Sequence, residues 1–241
     1  MGRDIAFFLK VTRTEYINDL TKYGNLYLSL AAEFRNRKRY GGKKYDSEEG
    51  HLSTQYKLLV DLGNNNFSNP NTVLDMSHGK IKGNECIYCL KTIYRDEIED
   101  DEIVIPYNFL SDLIENDDWS QYSLLLIKNP VGFLDCIQQT AKSQDYTYCF
   151  KPVLYDNHSF LCLYSLFSDE NAVETYFHKR KEFAEQSEYR ILLQNEIPEE
   201  FKLQIGTDFF KDINYTQIDD LKSFNTGKPS IIKVEKRDKY D

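Results

Sequence analysis

The chain has no run of about eighteen apolar residues, the length a helix needs to cross a bilayer, so no transmembrane helix is expected. Positive charge is in deficit. Thirty Lys and Arg face 39 Asp and Glu, for a formal net charge of −9. Such a chain does not bind nucleic acid or an anionic membrane by bulk electrostatics, although a local basic segment still can. Met1-Gly2-Arg3-Asp4 lacks a secretory layout, and no Ser or Thr stands where a myristoylation signal wants one, so a cytoplasmic location is expected. No internal repeat and no low-complexity linker interrupts the 241 residues, which reads as one domain with a core over about 5–195 and a less defined segment over 196–241.

Metal-ligand spacing is also missing. His51, His78, His158 and His178 form no H-x-x-x-H, and of these only His51, beside Glu49, is a candidate site residue. Cys86 and Cys89 form the one C-x-x-C, but they lie in Glu85-Cys86-Ile87-Tyr88-Cys89-Leu90, which reads as a strand. Strand residues three apart point to opposite faces, so the pair reads as two buried thiols and no structural metal is expected. The five cysteines, an odd number, fit a reducing compartment.

What the chain does have is apolar content of 41%, including 18 Tyr and 15 Phe, enough for a core built on large rings. Phe7 to Val11 reads as a first strand. A capping box at Thr12-x-x-Glu15, or a cap at Thr14, opens a helix whose Tyr16, Ile17, Leu20 and Tyr23 share one face and which ends at Gly24. Leu26 to Leu30 is a second strand. Hairpins and loops are expected over 62–84 and a strand from Cys86 to Ile93, followed by a solvated acidic connector from Arg95 to Glu102. A helix opens at Pro106, a strand runs from Tyr122 to Ile127, and Asn129-Pro130 caps a helix carrying Phe133, Leu134, Ile137 and Ala141. Thr147 to Tyr155 is a strand whose Pro152 marks an edge or bulge. Ser168 caps a helix through Val173, Tyr176 and Phe177, and a Lys- and Arg-rich helix then runs into a strand from Glu188 to Leu193. Ile231 to Val234 is a candidate last strand. The whole reads as an α+β fold on a mixed, mostly antiparallel sheet with flanking helices.

Several of these pieces recur in order. They are Gly24-Asn25-Leu26-Tyr27-Leu28-Ser29, Phe34-Arg35, Asp46-x-x-Glu49-Gly50, Val153-Leu154-Tyr155 and Lys181-x-Phe183-x-x-Gln186-x-Glu188-Tyr189-Arg190. In this the chain resembles a broad family of bacterial and phage proteins of unknown function. That family is distantly similar in layout to ADP-ribosyltransferases of the DarT type: a basic residue on the first strand, a helix, a Gly-Leu-x-Ser strand, and a glutamate on a late strand. The resemblance implies a transferase acting on NAD, with Glu188 as the catalytic carboxylate. Gln186 would hold the acceptor, and Arg190 would fix Glu188. Lys10, or alternatively Arg13, would contact the pyrophosphate, Ser29 the nicotinamide ribose, and Tyr27 would line the pocket. It further implies an effector, toxin or defence protein in a phage–host conflict.

Three function classes stand at this point. The first is that transferase. The second is a metal-dependent nuclease-like effector with Asp46, Glu49 and Glu188 as acidic ligands to Mg²⁺. The third is a non-enzymatic binding protein of a phage–host conflict. Arg35, Arg37 and Arg39, within the basic segment from Arg35 to Lys44, and Asp46 and Glu49 after it are the candidate substrate- or partner-binding residues, with the basic segment recruiting nucleic acid or a protein target. The bland alternative at Glu188 is a surface ion pair with Arg190, two residues along the same strand face.

Overall fold

The computed structural model describes residues 3–31, 52–57, 60–61, 67–68, 73–78, 85–114, 118–156, 173, 176–194, 201–206 and 214–234, the segments between 52 and 78 by their backbone alone. The chain opens with β1 (Ile5–Arg13), α1 (Thr14–Tyr23) and β2 (Asn25–Leu30). Next come β3 (Leu52–Lys57), β4 (Val60–Asp61), β5 (Phe67–Ser68) and β6 (Val73–His78), in which β3 pairs with β6 and β4 with β5. Then follow β7 (Cys86–Tyr94), β8 (Glu102–Ile105), α2 (Tyr107–Leu113), β9 (Tyr122–Ile127), α3 (Pro130–Ser143), β10 (Thr147–Pro152) and β11 (Leu154–Asp156). The last are β12 (His178–Arg180), β13 (Glu188–Gln194), β14 (Phe201–Gln204), β15 (Tyr215–Ile218) and β16 (Ser230–Lys233).

The main sheet has eight strands in the order β10-β13-β7-β1-β9-β15, with β2 pairing β7 and β14 pairing β2. Every pair in it is antiparallel, and the one parallel pair described is β11 with β12. The fold is thus α+β on a mostly antiparallel sheet, as the pattern of elements predicts.

Strand β7 is the axis. One edge pairs β13 from Cys86 to Lys91. The other edge is shared: β1 pairs at Lys91 to Tyr94, β2 at Cys86 and Ile87. Between these two pairings the Lys10 ammonium donates to the Cys89 carbonyl at 2.8 Å.

The two faces of the sheet are different. One is covered by α1 and α3: Phe8, Tyr88, Leu90, Leu125, Tyr189, Ile191 and Leu193 pack there on Ile17, Leu20, Phe133 and Ile137. The opposite face divides in two. Leu9, Val11, Ile93, Leu124 and Leu126 pack on Leu110 and Trp119, while Ile87 and Leu192 pack on Tyr176 and Phe177. Cys86 belongs to the first face and Cys89 to the second, so the C-x-x-C thiols do point apart, as strand alternation requires.

Local signals were kept or overridden for identifiable reasons. Gly24 ends α1 at φ 70°, its N–H donating to Leu20 O, and a Cβ there would lie 2.5 Å from Gly206 O. A side chain is therefore excluded twice, by conformation and by space. Asn129 caps α3, its Oδ1 accepting from Gly132 N–H at 3.1 Å. The Thr12 capping box does not form. Strand β1 runs on to Arg13, so Thr12 is still paired with Ser123, and the Thr14 hydroxyl bonds the Ser123 hydroxyl at 2.8 Å. The long strand expected from Thr147 breaks after Pro152 into β10 and β11, and β10 is the terminal strand of the sheet order, where a proline is tolerated. The basic helix expected before Glu188 is not a helix. His178–Arg180 is a strand beside β11, and Lys181–Gln186 is a 3-10 turn. His178 is accordingly a buried strand residue rather than part of a basic helix face. Tyr176 and Phe177, expected on a helix, enter that strand through a short 3-10 segment, and Ser168 lies outside the described residues.

Candidate functional site

Glu188 opens β13. The residue before it, Ser187, takes φ 46°, a left-handed conformation uncommon for serine. Its N–H donates to Ala184 O, and its carbonyl accepts from Thr92 N–H, both bonds fixing the turn that aims Glu188 into the sheet. The backbone of Glu188 is held from the Val153-Leu154-Tyr155 segment. Val153 N–H donates to Glu188 O at 2.9 Å, and Glu188 N–H donates to the Tyr155 hydroxyl at 2.8 Å. The two sequence motifs are therefore one structural unit.

The carboxylate is clasped by two cations. Lys179 Nζ donates to Oε1 at 2.7 Å and Arg190 Nε to Oε2 at 2.8 Å. Lys179 and Arg190 are buried, at 5% and 2% exposure, and Glu188 is nearly so, at 13%. Lys179 Nζ also donates to Gln186 Oε1 at 2.8 Å and sits 5.3 Å from the centre of the Phe183 ring. The Arg190 guanidinium further donates to the Tyr176 carbonyl. Burial pushes the Glu188 carboxyl upward, and the Lys179 and Arg190 charges overcome it, bringing its pKa down to about 2. Glu188 is ionised across the physiological range. The surface pair expected as the bland alternative is instead a buried triad.

Cys89 lies at the centre of this region, directly across from Arg190. Burial raises its thiol to about 11, the Glu188 charge adds to that, and Arg190, Lys10 and Lys179 oppose it. The thiol is therefore protonated and inert as a nucleophile. Lys91, across from Glu188, donates to Glu185 O at 2.9 Å; burial lowers its pKa against the pull of nearby carboxylates.

The structure brings together some of the residues singled out in the sequence and separates others. Gln186, Glu188 and Arg190 are joined through Lys179, and Lys10 reaches the same neighbourhood through Cys89. Lys10 comes from the helix-covered face, in register with Leu125, with its ammonium 4.3 Å from the Tyr88 ring centre. Ser29 is in register with Ile87, and Ile87 with Leu192, so Ser29 shares the face of Glu188. It stands two strands across and four residues along, roughly 16 Å away by strand spacing and rise. Tyr27 belongs to another cluster: its ring lies 4.8 Å from the Tyr16 ring and 4.4 Å from Lys202 Nζ, and its hydroxyl bonds Asp19. Neither residue meets Glu188, because β2 touches β7 only at the end remote from it. Arg35, Arg37, Arg39, Asp46 and Glu49 lie outside the described residues. Among the described residues no three His, Cys, Asp or Glu converge as a metal site, and none of the helices is long and apolar enough to cross a membrane. With a cation on each oxygen, Glu188 is electrostatically unsuited to a divalent ion.

Sequence reasoning missed Lys179 and Cys89 as partners. Tyr155 was already visible in its motif, but its hydrogen bond was not. Phe183 likewise carried a signal, since it lies in the same motif as Glu188 and its ring contacts Lys179.

The chain matches no family model, no curated protein and no solved structure.

Proposed function

We propose that the chain is an ADP-ribosyltransferase-like effector in which Glu188 is the reaction-centre carboxylate. The observation supporting this most is the carboxylate itself: Glu188 opens a late strand with one oxygen held by Lys179 and the other by Arg190, so it stands ionised and fixed in direction. Transfer of ADP-ribose breaks a glycosidic bond through a state with developing positive charge, and an ionised carboxylate stabilises that charge. The pKa of about 2 keeps Glu188 in that form at any cellular pH. Lys179 and Arg190 fix the direction of both its oxygens. On this reading Gln186, two residues before it and bonded to Lys179 through its amide oxygen, holds the acceptor. Tyr27 and Ser29 take no part in the reaction centre on this reading. The role in phage–host conflict rests on the family resemblance.

Incubation of the full chain with millimolar NAD tests the proposal. Release of nicotinamide, with addition of one ADP-ribose unit to an acceptor in an extract, is the expected result. No nicotinamide release and no thermal shift with NAD would overturn it.

A second reading is a non-enzymatic binding protein, and one observation favours it: both Glu188 oxygens are already neutralised inside the fold. Replacing Lys179, Glu188 and Arg190 together by apolar residues of similar size separates the two. A transferase loses activity while its melting curve survives, and a binding protein keeps its partner.

A further inference from the structure

On the helix-covered face, where the sheet order ends at β10, a bowl of about 420 Å³ opens between α3 and the strand. Asp135 and Gln138 line it from α3, Tyr148 and Phe150 from β10, and Tyr189 from β13. Tyr148 and Phe150 are two residues apart, in register with Leu193 and Ile191, so both rings face α3. Their centroids lie 5.2 Å apart with planes tilted by 40°. Asp135 and Gln138 are three residues apart and therefore neighbours on the helix surface. Gln138 Nε2 donates to the Tyr148 hydroxyl at 2.9 Å, which turns the amide carbonyl oxygen away as an acceptor. Cys149 also borders the bowl, although its side chain packs with Ile87 and Leu192 on the other face.

The wall is thus a carboxylate, an amide oxygen and aromatic faces. Among the described residues no Lys or Arg lines it, and its one charged side chain is the Asp135 carboxylate. The rings already draw a cation of the chain itself: Lys142 Nζ lies 5.9 Å from the Tyr148 centroid. We propose that this bowl binds a guanidinium group. Its flat, weakly hydrated plane suits the Phe150 and Tyr148 rings, and its fork of N–H donors suits two acceptors side by side better than a compact ammonium does. The net charge of −9 favours the approach of such a ligand. The bowl lies on the opposite face of β13 from Glu188, so this assignment is independent of the transferase reading.

The test is an NMR titration of the full chain with N-acetyl-arginine methylamide. Shifts are expected at 135–138 and 148–150. Asp135 is exposed, so Asp135→Asn leaves the fold intact; it should weaken binding about tenfold. Lys142→Ala should tighten binding, and N-acetyl-lysine methylamide should bind several-fold more weakly. A parallel titration with an extended Ser-Arg-Ser peptide distinguishes the source. Tighter binding than the amide assigns an arginine side chain of a protein, and equal binding assigns a small guanidino compound. Absence of localised shifts at millimolar ligand, or shifts unchanged by Asp135→Asn, would overturn the assignment.

Discussion

The two faces of β13 are built on opposite principles. Tyr189, Ile191 and Leu193 point under α1 and α3 and are held by apolar packing. Glu188 and Arg190 point the other way and are held by charge, with Lys179 as the third member. An apolar face tolerates swaps that conserve volume, usually at less than about 1.5 kcal/mol each. A buried ion triad does not. Its desolvation cost is offset only while every charge keeps its partner, so its members stand or fall together.

The comparison breaks most visibly at Glu188. Glu188→Ala leaves two buried cations without a counter-charge and should cost about 3–5 kcal/mol in a urea or thermal melt. Glu188→Gln keeps the shape but loses the charge, so it too is expected to destabilise, which makes its loss of activity uninformative by itself. The triple apolar replacement should recover most of that stability. If it melts as low as Glu188→Ala, packing rather than charge governs this face.

Acid should act next. The Glu188 pKa lies at about 2 in the fold against an ordinary 4.5. Its contribution is complete above about pH 5 and is lost as pH falls from 4.5 towards 2, on the order of 3 kcal/mol in all. Stability measured against pH should show that loss in wild type and not in the triple variant. The apolar face has no such dependence.

Gly24→Ala should cost about 2–3 kcal/mol, since alanine resists φ 70° and its Cβ meets Gly206 O. A melting temperature equal to wild type would mean that α1 and β14 separate freely. Smallest of all is Arg3→Ala. Arg3 pairs with Asp96 and Glu97 at the surface, at 2.7 and 3.0 Å, and its removal should leave the melt unchanged within error.

How much of this could be read from the sequence follows the same division. The apolar face was legible: the Tyr122–Ile127 strand, the Asn129 cap and the Phe133, Ile137 and Ala141 stripe all stand where periodicity and capping chemistry put them. Glu188 and Arg190 sharing one side of a strand was legible too. The triad was not, because its third member comes from a stretch whose local pattern reads as helix. His178-Lys179-Arg180 becomes a strand only through parallel pairing with β11, a tertiary fact that no window of sequence contains. The shared edge of β7 was equally hidden, since strand order depends on packing rather than on alternation. That is why Lys10 could be placed on its strand but not beside Cys89, and why Tyr27 and Ser29 were expected at a centre that β2 does not reach.

The place of β7 has a consequence for how the chain folds. Its edges are covered by β1 and β2 from the first 30 residues and by β13 from 188–194. The central pairing therefore waits for segments about a hundred residues apart on its C-terminal side, and closing such loops is slow compared with forming α1 or α3. Until Arg190 and Glu188 have left the ribosome, β7 has one bare edge rich in Ile, Tyr and Leu, which is the kind of surface that pairs with other chains. Synthesis of this protein at high concentration should accordingly be limited by aggregation of the unfinished chain, and slowing translation or lowering the temperature should recover more folded material than any gain in native-state stability.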